Sequence, residues 1–546
     1  MWGIKRRRRM AAGLAAVLLL AASCSGDDDD ATPHRDRPAE TTRPPRSTTP
    51  AEPIRRGTFD RLIPRPQVVE PAAGELFLTP DTTVVVDARA AAQAADLLRS
   101  YLTPATGLEV PDADGDGDSE GPVIRFDDQG AEGLGDEEYE LRIDADGVEV
   151  VAATPAGFGW AVQTIRQLLP AEIEGTMALP GTWTLPAGRI HDVPYFAWRG
   201  VMVDVVRHFF PPADIERVID LAALYKLNRL HLHLTNDQGW RLQIEAYPEL
   251  TEVGGSTEMG GGPGGFYTQD EYRQLVDYAA VRGIVVVPEI DMPGHVTAAL
   301  AARPELVCSG SPVPEVETGY SVFDNSLCVD DPSTYDFVQQ VLTEVAALTP
   351  GPYIHIGGDE AEATSPELYP AFITRVTAMV QALGKQPVGW EEIATADLPA
   401  GAIVQHWRFD DPTVAAAAQG AGIVLSPATH AYMDMKYDES TPLGLSWAGY
   451  TDTQDAYEWE PTATVPGLPA ESVLGLEAPL WTETVTDLAE MVQMLLPRLP
   501  GYAELGWSSP DGRSWDEYRW RVAAHAARWN AAGLTYTRDP SVPWSE

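Results

Sequence analysis

From about residue 195 onward, short apolar runs alternate with longer stretches whose apolar residues recur at helical spacing. The runs at 200–205, 229–234, 284–289, 353–356, 387–390, 403–407, 423–426 and 473–476 read as buried strands. Helical patterns at 212–225, 268–282, 333–348, 366–383 and 412–419 separate most of them. Eight such strands with helices between them predict a (β/α)8 TIM barrel over 194–546. A doubly wound open sheet is the alternative, but it usually carries a Gly-rich βα turn, and none is evident. Ahead of the barrel, over 58–193, strand-like runs at 83–86, 123–126, 139–143 and 148–152 mix with helical stretches at 90–102 and 157–169. That mixture predicts a small α+β domain, a sheet backed by helices. It carries no catalytic-looking cluster, so a supporting role is expected of it.

Polar and aromatic residues gather just past the predicted strand ends. They are Arg207 and His208, then Asn236, Asp237 and Trp240, then Asp291 and His295. Asp359 and Glu360 follow, then Trp390 and Glu391, Trp407, Tyr432 and Asp434, and finally Trp481 and Glu483. In a barrel these ends share one rim, so groups far apart in the chain converge. The densest point is Tyr353-Ile-His-Ile-Gly-Gly-Asp-Glu-Ala361. Neighbours on a continuing strand point to opposite faces, but two glycines let the chain turn so that both acids serve one cleft. The bland alternative is a loop whose acid only caps the next helix. Acids with flat aromatic walls suit a sugar, whose apolar face stacks on Trp while Asp, Glu and Arg bind its hydroxyls. Glycoside cleavage normally places two carboxylates on either side of the bond. Adjacent acids satisfy that poorly, so a single acid, Glu360, with a nucleophile from the substrate fits better.

Charge narrows the partners. The chain holds 81 acidic against 38 basic residues, a net charge of −43, which argues against nucleic acid, whose phosphates demand a basic face. It also repels anionic polymers and membranes, so a neutral substrate is easier to accommodate. At the N-terminus a basic run at 5–9 precedes an apolar run at 11–22, too short to span a bilayer comfortably. It leads into Leu20-Ala-Ala-Ser-Cys24, which resembles a bacterial lipoprotein processing site. The expectation is an export signal over 1–24, with lipid on Cys24 or simple secretion as alternatives, and an extracellular or cell-surface protein. Membrane attachment is expected only through Cys24. Residues 25–57 are rich in Asp, Thr, Pro and Arg and read as a disordered tether. Cys308 and Cys328 are expected to form a disulfide worth ~3 kcal/mol by loop closure. No zinc-spaced cluster or phosphate loop stands out, and neither metal nor cofactor is expected; the His231-Leu-His233 pair on a strand is the weak alternative.

Several motifs resemble those of family 20 glycoside hydrolases, the β-N-acetylhexosaminidases. They are Val203-Asp-Val-Val-Arg207-His-Phe-Phe, His231-Leu-His-Leu-Thr-Asn-Asp-Gln-Gly-Trp240, Glu289-Ile-Asp-Met-Pro-Gly-His295 and His355-Ile-Gly-Gly-Asp359-Glu360. Tyr432-Met-Asp434-Met-Lys-Tyr and Leu480-Trp481-Thr-Glu483 complete the set. The resemblance covers nearly everything from 58 onward and implies a non-catalytic α+β domain followed by a barrel. It implies exo-acting, retaining, substrate-assisted removal of terminal GlcNAc or GalNAc. Glu360 would be the general acid, Asp359 would steady the 2-acetamido group, Tyr432 would hold its oxygen, and His295 would tune the acid. Arg207, Asp434 and Glu483 would bind hydroxyls, and Trp390, Trp407 and Trp481 would wall the acetamido pocket, with Trp447 nearby. Asn236, Asp237 and Asp291 would stand behind them. A disaccharide-releasing member such as a lacto-N-biosidase, or a non-catalytic sugar-binding surface lipoprotein, is the alternative.

One position departs from the family. Asn236 stands where members usually carry the Asp that orients the histidine, so His295 is expected to be less basic than usual. Asp237 is the substitute if the loop is rearranged.

Overall fold

The computed structural model describes residues 58–113, 121–321 and 325–545. The segments expected to be an export signal and a tether, with Cys24, lie outside those residues. Six strands build the first sheet: β1 (Val68–Leu78), β2 (Thr83–Val86), β3 (Val123–Asp127), β4 (Tyr139–Ile143), β5 (Gly147–Ala152) and β6 (Trp183–Asp192). They run in the order β1-β6-β4-β5-β3-β2. Helices α1 (Ala92–Thr106) and α2 (Pro155–Leu168) share one apolar core with the sheet. In β4 the buried Tyr139, Leu141 and Ile143 alternate with exposed Glu140 and Arg142, the pattern of a sheet with one covered face.

The two longest strands of this sheet, β1 and β6, were not among the predicted runs. Pro71 and Gly74 interrupt the first, and Pro186 and Gly188 the second. The structure absorbs them in a register shift between Pro71 and Glu75, where Glu75 pairs with Pro186. β1 is an edge strand, so a missing proline N–H costs it little. Helix α1 likewise runs past its expected end through Pro104. It closes where Gly107, at φ 72°, donates its N–H to the Thr103 carbonyl.

The second body is a closed parallel barrel of β7 (Trp198–Asp204), β8 (Arg229–His233), β11 (Val285–Glu289), β12 (Tyr353–His355), β13 (Gln386–Trp390), β14 (Ile403–His406), β15 (Gly422–Leu425) and β16 (Val473–Leu480). A short hairpin, β9 (Thr235–Asn236) and β10 (Gly239–Trp240), follows β8. Leu230 and Leu232 face the helical shell, so the alternating His231 and His233 face the barrel interior. There the fill is polar as well as apolar. His231 lies between two buried carboxylates, with Nδ1 2.8 Å from Glu477 and Nε2 3.1 Å from Glu289. The indole N–H groups of Trp198 and Trp390 donate to Glu477 and Glu289, both at 2.9 Å.

Helices Leu488–Leu495, Arg498–Trp507 and Trp515–Ala531 follow the last strand. The two bodies meet at the end of the barrel where its strands begin. Lys226 Nζ reaches Asp192 and the Tyr139 hydroxyl, each at 2.8 Å. The Trp507 N–H also donates to Asp192, at 2.8 Å, and Arg199 pairs with Glu137 at 2.6 Å. Gln167 of α2 donates to the carbonyls of Ile63 (2.6 Å) and Leu224 (2.7 Å), the latter ending the helix Pro212–Leu224. Cys308 and Cys328 are joined in a disulfide. Among the described residues no helix is long and apolar enough to cross a membrane.

Candidate active site

Just beyond β12 the chain reverses through three left-handed residues, Gly357 (φ 65°), Gly358 (φ 98°) and Glu360 (φ 47°). Glycine is required at the first two for space as well as conformation. A Cβ at Gly357 would lie 1.7 Å from Asp291 Oδ1, and one at Gly358 would lie 2.5 Å from Ile393 Cγ2. Asp291 Oδ1 also accepts the Gly358 N–H at 3.1 Å, and Tyr369 donates its hydroxyl to the Gly358 carbonyl. The turn is therefore braced from two neighbouring elements, and it delivers Asp359 and Glu360 to one pocket.

That pocket has a volume of about 480 Å³. It is lined by Arg207, Asn236, His295, Asp359, Glu360, Trp390, Trp407, Tyr432, Asp434, Trp447, Trp481 and Glu483, which the sequence pattern had placed on the rim or near it. Gln238, which lies within the His231–Trp240 motif, lines it too, as do Met259, Tyr320, Arg408 and Leu445, to which no motif pointed. Asp237 and Asp291 stand behind the lining. Tyr432, Asp434 and Trp447 come from the long excursion between β15 and β16. The Trp407 and Tyr432 rings are stacked at 14°, and Trp447 stands edge-on to both, 6.0 and 5.8 Å away. Trp390 and Trp481 sit 6.0 Å apart.

His295 joins the acids. Its Nδ1 is 3.3 Å from Asp237 Oδ2, and its Nε2 is 3.4 Å from Asp359 and 3.7 Å from Glu360. Asp237 Oδ1 accepts the Thr297 N–H at 3.0 Å, which fixes that carboxylate. Of the two readings of this loop the alternative holds: Asp237, not position 236, faces His295. Asn236 Nδ2 is 2.8 Å from His233 Nε2, and its Oδ1 accepts the Asp237 N–H, so it faces the barrel interior. The hairpin of β9 and β10 turns the chain just after it, which brings Asp237 to the histidine. Burial works against charge on His295, but Asp359, Asp237 and Asp291 outweigh it and hold the imidazole well above its ordinary value.

The paired acids are driven apart. Burial raises the Asp359 carboxyl, but the His295 cation overcomes it and leaves Asp359 below the usual range. Burial also raises Glu360, the anionic Asp359 adds to that, and the result is a carboxyl above its ordinary value. Asp291 is raised well above its range by burial and then by Asp359. Glu392 accepts the Trp407 indole N–H at 3.2 Å and is pushed up to about 8 by burial, Asp359 and Glu391.

At the far end Arg207 lies 3.3 Å from Asp204 and 5.0 Å over the Trp481 ring. Asp434 is raised well above its range by burial and by Glu483. Glu483 is raised by burial, with Arg207 pulling it down. Arg207 Nε, Asp434 Oδ2 and Glu483 Oε2 are buried without a protein partner, which leaves both donors and acceptors for sugar hydroxyls. Among the described residues, apart from a group that includes the disulfide cysteines, Asp291–His295–Asp359, His231–Glu289–His355 and His233–Glu289–Asp291 bring possible metal ligands within 4.8 Å of one another. In the second, Glu289 is already engaged by the Trp390 N–H and by histidines, as in a closed ion-pair network.

The model of the glycosyl hydrolase family 20 catalytic domain matches residues 196–510, and that of domain 2 of the same family matches 60–193. A β-N-acetylhexosaminidase of Cellulomonas fimi is 44% identical over 490 residues, which is 88% of this chain and 97% of that protein. The GH20 β-N-acetylhexosaminidase from Streptomyces coelicolor A3(2) matches in structure with a TM-score of 0.86 at 48% identity, covering 91% of this chain and 100% of that one. A mutant Streptomyces plicatus β-hexosaminidase in complex with its product GlcNAc gives a TM-score of 0.86 at 47% identity, over 91% of this chain and 100% of its own.

Proposed function

The chain belongs to glycosyl hydrolase family 20 and is a β-N-acetylhexosaminidase, and from that premise we propose an exo-acting, retaining hydrolysis in which the substrate supplies the nucleophile. The observation that carries this reading is the inequality of the adjacent acids. Asp359 is held ionised by His295, while Glu360 beside it is held towards the protonated form. Glu360 donates its proton to the glycosidic oxygen as the bond to the anomeric carbon breaks. The oxygen of the sugar's own 2-acetamido group attacks that carbon and closes an oxazolinium ring. Asp359 accepts a hydrogen bond from the acetamido N–H and balances the charge that develops there. Tyr432 holds the acetamido oxygen in line, and Trp390, Trp407 and Trp481 exclude water around it. Deprotonated Glu360 then takes a proton from the incoming water, and the product keeps its anomeric configuration. A tethered nucleophile of this kind is worth an effective concentration on the order of 10⁵ M or more.

Arg207, Asp434 and Glu483 close the pocket around the 3-, 4- and 6-hydroxyls, which favours release of one terminal residue. Proton NMR of the first product formed from a nitrophenyl β-GlcNAc glycoside tests the reading directly. The β anomer is expected, and an α anomer would sink it. Glu360→Gln should lower kcat by roughly 10²–10⁴-fold on a substrate with a poor leaving group. We also read 1–24 as an export signal with Cys24 as the lipidated residue. Mass spectrometry of the mature N-terminus checks this, and an unmodified N-terminus elsewhere refutes lipidation.

A further inference from the structure

Two arginines line the pocket, and they are differently placed. Arg207 is buried and paired with Asp204. Arg408 is exposed, and among the described residues its guanidinium meets no carboxylate at ion-pair distance. In a chain with 81 acidic residues, a cation left open at the mouth of the pocket invites an anion from outside.

Its location identifies which part of the substrate it meets. Arg408 follows Trp407, the wall beside the acetamido group on C2, and its charge acts on Glu360, the acid at the oxygen on C1. A residue flanking both faces the sugar beyond the scissile bond. Its backbone is fixed, because the N–H groups of Trp407, Arg408 and Phe409 all donate to the fully buried carboxylate of Glu391. Its guanidinium carbon lies 4.8 Å from the Phe409 ring centre and 5.6 Å from that of Trp407. Such a planar fork, stacked and pre-positioned, suits bidentate binding of a carboxylate better than binding of a hydroxyl. Tyr320 and Trp447, both exposed at the same mouth, offer flat faces to that sugar's ring.

We propose that Arg408 makes the leaving-group side of this pocket selective for a carboxylate-bearing sugar, a hexuronic acid or a 3-O-lactyl amino sugar, to which the terminal GlcNAc is β-linked. This rests on the hydrolase reading above. The net charge of −43 disfavours long polyanions, so the fitting substrate is a short oligosaccharide with one carboxylate next to the bond.

The test compares kcat/KM for GlcNAc β-1,4-linked to GlcNAc, to a hexuronic acid and to 3-O-lactyl-GlcNAc, with the methyl esters of both acidic disaccharides. At least one acidic disaccharide should exceed the neutral one by about threefold to tenfold, the range of an exposed but well-oriented Arg–carboxylate pair. Its ester should lose that advantage. Arg408→Gln should bring the acidic-to-neutral ratio to about one, and Arg408→Lys should retain part of it. Using the ratio cancels any effect of the substitution on Glu360, which both substrates share. The disaccharide that passes identifies the position of the carboxylate. The proposal is overturned if neither acid beats the neutral disaccharide, if the ester does as well, or if Arg408→Gln leaves the ratio unmoved. The ester arm decides the matter in the wild type even if the variant does not fold. Failure of the underlying hydrolase reading would show separately, as no turnover of nitrophenyl β-GlcNAc by the wild type.

Discussion

The Asp237 carboxylate holds the Thr297 N–H on one oxygen and faces the His295 imidazole with the other. Removing its charge by Asp237→Asn should make His295 less basic, with consequences for both acids. Asp359 loses part of the cation that keeps it ionised, so it protonates sooner as pH falls, and the acid limb of the kcat/KM profile moves up. Glu360 also titrates higher, so it stays protonated to higher pH, and the alkaline limb moves up too. Asn236→Asp, one residue earlier, should move these limbs much less, because position 236 faces His233. Profiles measured on a nitrophenyl β-GlcNAc substrate check both variants. Equal shifts in the two would contradict the assignment of Asp237 as the partner of His295.

Strand ends and strand interiors were legible in the chain to different degrees. The turn after β12 was readable because a period-two run stops at two glycines followed by two acids. Gly357→Ala should nearly abolish soluble, active enzyme, since the new Cβ would collide with Asp291 on the neighbouring strand end. Expression level and residual turnover report this. β1 and β6 were not readable, because prolines and glycines that a bulge accommodates look like breakers in a linear pattern. Nor does periodicity reveal a two-strand hairpin, which is why Asp237 stood only as the substitute for position 236. Arg408 and Glu392 carried no signal of their own; only the fold brings the first to the pocket and the second behind its Trp407 wall. Inside the barrel, burial lowers the His231 imidazole, but Glu477 and Glu289 overcome that and raise it to about 9. The stability it contributes is therefore fully present below about 6.5 and lost as pH rises through about 9. Glu289 and Glu477 are held low, so their contribution is present above about 4.5 and lost as pH falls further. Thermal unfolding should show Tm falling between pH 6.5 and 9, with a flatter slope there in His231→Gln.

The molecule is fastened as a whole at two places, a buried seam between its two bodies and a disulfide-closed loop that carries Tyr320 to the pocket. At the seam between sheet domain and barrel, Asp192 receives Lys226, Tyr139 and Trp507 in a fully buried site. Asp192→Ala leaves the buried lysine without its counter-ion and should cost about 3–5 kcal/mol, read by denaturant unfolding. The Cys308–Cys328 bridge closes a loop whose entropy is worth ~3 kcal/mol, so reduction should lower the unfolding midpoint while leaving the fold formed. The seam also sets an orientation. Ile63 is bound through Gln167 to the carbonyl of Leu224, the last residue of a helix that descends from the rim to the opposite end of the barrel. The described chain thus enters at the face turned away from the pocket. The mouth is therefore clear of the first described residues, and a glycan can approach it without passing the point where that chain enters.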